Sequence, residues 1–149
     1  MKTVLAFLQN PWFKPGTDPR LIHKYQVDPD FHRRVLLLSA TGRALYDAFG
    51  PQLYHEIIWD NANPRHGNVP TARMRADPQH MAETIVRHRP DLILCFGHEA
   101  AVGMNKLVSQ PWPNVMYAAH PMAHGSAQKH LEDIVREVRK WLRINHDLR

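Results

Sequence analysis

The chain has 149 residues, of which 44% are hydrophobic, 22% charged and one is cysteine. That is the profile of a single globular domain, expected to span residues 1–149, rather than a disordered or membrane-embedded chain. The formal charge is +5 and the pI about 9.7, which admits a polyanionic partner. A lone cysteine excludes a disulfide framework or a cysteine-held metal cluster within the chain.

Met1-Lys2 leads straight into Thr3–Leu8, an apolar run too short for a secretory core or a membrane span. A cytoplasmic location and no membrane partner are therefore expected. The run reads as a buried parallel strand stopped by Gln9-Asn10-Pro11. Trp12 to Asp30 carries Pro15, Pro19 and Pro29 with Gly16 and several charges, and reads as a long irregular segment. Such segments are usually functional. Ser39–Phe49 is a helix with Ala44, Leu45, Ala48 and Phe49 at helical spacing, stopped by Gly50-Pro51. Whether Val35–Leu38 extends it is left open.

Tyr54–Trp59 reads as the next strand, followed by Asp60-Asn61-Ala62-Asn63-Pro64 and a polar loop from Arg65 to Pro70. Asp77-Pro78 supplies an N-cap with Pro at the first helical position, starting a helix to about His88. Leu92–Phe96 is a third strand, and Gly97-His98 opens a helix through Leu107. After Pro111-Trp112-Pro113 a fourth apolar run ends in His120-Pro121. From Ser126 to about Arg143, Leu131, Ile134, Val135, Val138 and Leu142 share one face of a long amphipathic helix. Strands alternating with helices predict an α/β fold, a three-layer α/β/α sandwich with a four-stranded parallel sheet.

All four strands end in polar or special residues: Gln9-Asn10-Pro11-Trp12, Asp60-Asn61-Ala62-Asn63, Gly97-His98 and His120-Pro121. Parallel strands present these ends at one edge, where ligands bind in open α/β sheets. Taken singly, Asn10 and Asn61 can also be read as turn residues after a strand, and His120 as a surface turn histidine. Together they offer amides, imidazoles and an aromatic ring, a set suited to a planar heterocycle. There is no phosphate-cradling glycine loop and no nucleophilic serine or cysteine motif. The histidines lack carboxylate or cysteine companions at metal-ligand spacing, so no metal and no cofactor are expected. Arg33-Arg34, Arg65, Arg73, Arg75, Arg87 and Arg89 could contact phosphate or simply form a solvated basic face.

In this order the motifs resemble the uracil-DNA glycosylase superfamily, from about Val4 to Leu142. The iron–sulfur family is the nearest in motif order. Leu8-Gln9-Asn10-Pro11-Trp12 is similar to the superfamily's first motif, and Ser39–Leu45 to its glycine-containing first helix start. Asp60–Pro70 resembles its Asn-led segment, Pro90–Ala101 its Pro-strand-Gly segment, and His120-Pro121 its His-Pro-Ser motif. The resemblance implies a glycosylase-like fold and hydrolysis of the N-glycosidic bond of uracil, or a related modified pyrimidine, in DNA during base excision repair. It implies that Asn10 positions water and that Asn61, or Asn63 by a small shift of register, reads the base edge. It gives His120 the role of donating to the base oxygen as the bond breaks.

The chain also departs from the pattern. The cluster cysteines are missing, so the iron–sulfur cofactor does not carry over. The aromatic that stacks on the base aligns with Leu37, with Phe31 or Trp12 as substitutes. Met122 replaces the serine of His-Pro-Ser, and the duplex wedge aligns near His124. With Arg65, these form the expected contacts of a monomer with single- or double-stranded DNA. Because the losses fall on DNA engagement, two alternatives stand beside the enzyme: a DNA- or nucleotide-binding protein without chemistry, and an enzyme acting on free nucleosides or hypermodified bases.

Overall fold

The computed structural model describes residues 2–68, 74–107, 114–122 and 127–147. Four strands, β1 (Val4–Leu8), β2 (Ile58–Asn61), β3 (Leu92–Phe96) and β4 (Asn114–Ala118), form one all-parallel sheet in the order β2-β1-β3-β4. Among the described residues there are seven helices: α1 (Pro19–Val27), α2 (Pro29–Leu36), α3 (Ala40–Phe49), α4 (Pro51–Glu56), α5 (Pro78–His88), α6 (His98–Asn105) and α7 (Ala127–Asp147). None is long and apolar enough to cross a membrane.

The strands are apolar throughout because both faces of the sheet are covered. Val4, Ala6 and Leu8 of β1 and Leu92, Leu94 and Phe96 of β3 pack against Leu45 and Phe49 of α3 and Leu131, Ile134 and Val138 of α7. The alternate residues Leu5, Phe7, Ile93 and Cys95 face Met81 and Ile85 of α5 and Ala100 and Met104 of α6. The period of two along each strand thus divides one apolar run between two cores. β1 is followed by helices on the first face and β3 by a helix on the second. That divergence opens a crevice at the carboxyl ends of the two central strands.

Two sequence expectations change. The stretch from Trp12 to Asp30 contains α1 and the start of α2, each begun by an Asp-Pro pair. Asp18 accepts from the Arg20 amide and Asp28 from the Asp30 and Phe31 amides, with proline at the first helical position in both. These prolines start helices; they do not interrupt them. The second strand also begins later than Tyr54. Gly50, at φ 83°, ends α3 and lets Pro51 open the short helix α4, so Tyr54, His55 and Glu56 are helical and β2 begins at Ile58.

The same geometry places Gly42 where α3 leaves α2. A Cβ there would lie 1.8 Å from the Leu36 carbonyl oxygen, so only glycine admits this close approach. Arg33 braces α2 from the other side, donating from Nε to the Ile57 carbonyl at 2.9 Å, while the Tyr54 hydroxyl donates to the Arg33 carbonyl at 2.8 Å.

Candidate functional site

A cavity of about 610 Å³ opens at the carboxyl end of the sheet, and Asn10, Asn61 and His120 all lie on its wall. They come from the ends of β1, β2 and β4, remote in sequence and brought together by parallel pairing. Trp12, Phe13 and Tyr25 supply aromatic surface, and Lys14 a positive charge. Leu38 and Met122, 78% and 50% exposed, form apolar lips. Ser39, Ala40 and Thr41 bring the N-terminus of α3 to the wall, where its unpaired N–H groups favour negative charge. No carboxylate lies on this wall among the described residues.

His120 is held by its own loop. The Met122 backbone N–H donates to His120 Nδ1 at 3.1 Å. A backbone amide can only donate, so Nδ1 is the acceptor and the proton of the neutral ring sits on Nε2. Pro121 is buried and stiffens the turn. Gly97, at φ 90°, passes directly beside this histidine, and a Cβ at Gly97 would stand 3.4 Å from the Cβ of His120. The ring also borders a second cavity of about 330 Å³, shared with Gln9, Gly97, His98 and Glu99.

Asn10 is tied at both ends of its amide. Nδ2 donates to the Pro11 carbonyl at 3.0 Å and Oδ1 accepts from the Met74 amide at 3.3 Å. One N–H and one lone pair remain for a ligand or water. The segment after β1 is further clipped to the loop after β2, with the Phe13 amide donating to Gly67 O at 2.9 Å and the Gly67 amide to Pro11 O at 3.0 Å.

Asn61 is 4% exposed, and its Nδ2 donates to the Tyr25 hydroxyl at 3.0 Å. Tyr25 lies flat on the His32 ring, centroids 4.0 Å apart at 18°, and takes the edge of Phe13 at 5.3 Å. Burial drives the Tyr25 hydroxyl pKa upward against the Asn61 hydrogen bond, so it stays protonated. Burial also lowers His32 to about 4, outweighing the opposing pull of Asp60 and a backbone hydrogen bond with Tyr25. His32 is therefore neutral at pH 7, and its Nε2 has no hydrogen-bond partner among the described residues.

Behind Asn61 on the other face of β2, Asp60 Oδ1 meets His80 Nε2 at 3.4 Å, and Oδ2 lies 3.2 Å from the Thr84 hydroxyl, whose one proton is shared between it and the His80 carbonyl at 2.8 Å. Burial pushes Asp60 upward. The His80 hydrogen bond and charge, His32 and the Asn61 amide outweigh it and hold the carboxylate low. Burial likewise acts against the charge on His80, and Asp60 overcomes it to raise the pKa. This pair anchors the end of β2 to α5; it does not face the large cavity.

The remaining sequence candidates fall elsewhere. Asn63 clips a turn, donating to the Arg75 carbonyl and accepting from the Arg65 amide, each at 2.8 Å, so Asn61 and not Asn63 lines the cavity. Phe31 sits under the Lys24 ammonium at 4.7 Å, and Leu37 packs on the core; neither lines the cavity, whereas Leu36 and Leu38 do. Arg65 is exposed and off the wall. Arg87 and Arg89 lie at the far end of α5, by the amino ends of the strands. His124 lies outside the described residues, as do Val69, Pro70 and Arg73. Tyr25, Phe13 and Lys14 were not singled out from the sequence. Only the Asp18-Pro19 helix start could have brought Tyr25 into view.

Cys95 is buried in β3 and its thiol is pushed up to about 12 by that burial, which makes it a packing residue. Among the described residues, no group of three or more His, Cys, Asp or Glu side chains is placed to hold a metal ion. Comparison with known proteins gives no matching family model, no matching curated protein and no matching solved structure. The family resemblance therefore rests on the residues themselves.

Proposed function

We propose that this chain is a uracil-DNA glycosylase-like enzyme that hydrolyses the N-glycosidic bond of uracil or a related pyrimidine in DNA. The observation that carries this reading is that Asn10, Asn61 and His120, from three strand ends, share one cavity. A flipped nucleotide would enter at the apolar lips. As the bond to C1′ breaks, its electron pair stays with the base, and negative charge builds on the base oxygen. His120, with its proton on Nε2, donates to that oxygen without first having to change tautomer. The N-terminus of α3 and Lys14 favour the same charge. Asn10 orients water toward C1′ but cannot take its proton, so departure of the base anion drives the reaction, and the proton that water loses ends on the released base.

DNA is the partner this reading requires, consistent with the net charge of +5. The test is release of free base from single- and double-stranded oligonucleotides carrying one uracil, with His120→Ala as control.

One observation favours a second reading. Both ends of the Asn10 amide are engaged by backbone, and the wall carries no carboxylate among the described residues. That suits a protein that binds DNA or a nucleotide without cleaving it. Salt-dependent DNA binding that survives Asn10→Ala, with no base released, would select it.

A further inference from the structure

We propose that Tyr25 is a second specificity-determining residue beside Asn61. Its hydroxyl orients the Asn61 amide and offers its own proton to the ligand. The inference rests on the base-reading role of Asn61 proposed above.

An amide is planar, so fixing its nitrogen aims its oxygen. Asn61 Nδ2 is directed at Tyr25 Oη, and both side chains are almost wholly buried. Tyr25 cannot swing away, because its ring is stacked on His32 and meets the Phe13 ring in a T-shaped contact. Asn61 Oδ1 has no hydrogen-bond partner among the described residues, and Asn61 and Tyr25 both stand on the cavity wall. The Tyr25 oxygen is already the acceptor for Asn61, so its O–H remains available to donate.

Asn61 Oδ1 and the Tyr25 O–H therefore put an acceptor beside a donor on the wall. The complementary edge is donor beside acceptor, which is the N3–H, O4 edge of uracil and of its 5-substituted relatives. In the same pose cytosine would set a bare N3 against the Asn61 oxygen and an amino group against the Tyr25 proton. Two mismatches follow from one changed ring. Sites built to hydrogen-bond a particular group reject analogues that lack it far more strongly than apolar pockets do. Losing the Tyr25 hydroxyl would let the Asn61 amide rotate, so that either edge is accepted.

The experiment uses Tyr25→Phe, which keeps the stacked ring. In the wild type, one Asn61 Nδ2 proton should exchange slowly by nuclear magnetic resonance; in Y25F its exchange should be about tenfold faster. The ratio of uracil to cytosine release from single-stranded oligonucleotides should narrow by at least about tenfold, about 1.4 kcal/mol of discrimination. A tyrosine with only a structural role would lower both rates together and leave the ratio unchanged. Unchanged amide exchange, or an unchanged ratio in an active enzyme, overturns the proposal. If the wild type releases no base, the glycosylase reading fails separately. Titration with free uracil and free cytosine then decides: an Asn61 amide response to uracil alone sustains the edge match, and an equal response to both overturns it.

Discussion

His32 ties the stability of the fold to pH through the wall of the cavity. It is 4% exposed and stacked on Tyr25, and burial lowers its pKa from 6.5 to about 4. Its folded value is depressed, so below pH 6.5 the unfolded chain binds a proton that the folded chain refuses. Stability is full above about pH 6.5 and falls as the pH drops toward 4, levelling off below that. One pKa unit corresponds to about 1.4 kcal/mol, and the difference of about 2.5 units gives a loss of about 2 kcal/mol at pH 5 and about 3 kcal/mol at pH 4. Urea unfolding followed by tryptophan fluorescence reads this directly, since Trp59 is buried in the core. His32→Phe keeps an aromatic ring against Tyr25 and removes the titration. The wild type should lose about 2 kcal/mol more than H32F between pH 7 and pH 5. Parallel loss in the two proteins would refute the assignment of a neutral buried histidine.

Two further outcomes follow from local geometry. Gly42→Ala forces a Cβ against the Leu36 carbonyl and should destabilise by about 3 kcal/mol, read as a lower urea midpoint at unchanged slope. Asp60→Asn removes the partner of His80 and should cost about 2 kcal/mol near pH 6. Asp60 is held low, so its contribution is present above the unfolded carboxylate value and lost as the pH falls through the folded one. His80 is held high, so its contribution is full below 6.5 and lost as the pH rises through its folded value. The pair is therefore at full strength between about pH 4 and 6.5, and D60N should flatten the decline above that window.

Much of the frame was legible from residue pattern alone. The runs at Val4–Leu8 and Leu92–Phe96 are too short and too uniformly apolar for surface helices, and Asp77-Pro78 announces α5. The same Asp-Pro signal at residues 18–19 and 28–29 was masked by the density of prolines around it. The helices it starts are only nine and eight residues long, too short to show a clear apolar stripe. Tyr54–Trp59 has strand-like composition, yet Gly50-Pro51 starts a six-residue helix that delays β2.

At the site, strand-end logic brought Asn10, Asn61 and His120 to one cavity because parallel pairing places all such ends at one edge. Spacing could not choose among Leu36, Leu37 and Leu38, where one position turns a side chain from cavity to core. Tyr25 was hidden for a different reason: its role comes from tertiary contacts with Asn61 and His32, which no local pattern encodes.

The central claim is that His120 stabilises a departing base, and single-turnover release of uracil from a labelled oligonucleotide tests it most directly. Removing one donor to a developing oxyanion costs about 10²–10³ in rate. The wild type should release uracil, and His120→Ala should be slower by about that factor while unfolding at the same urea concentration. Release from neither protein above background, across uracil and its modified relatives, or equal release from both, would contradict the claim.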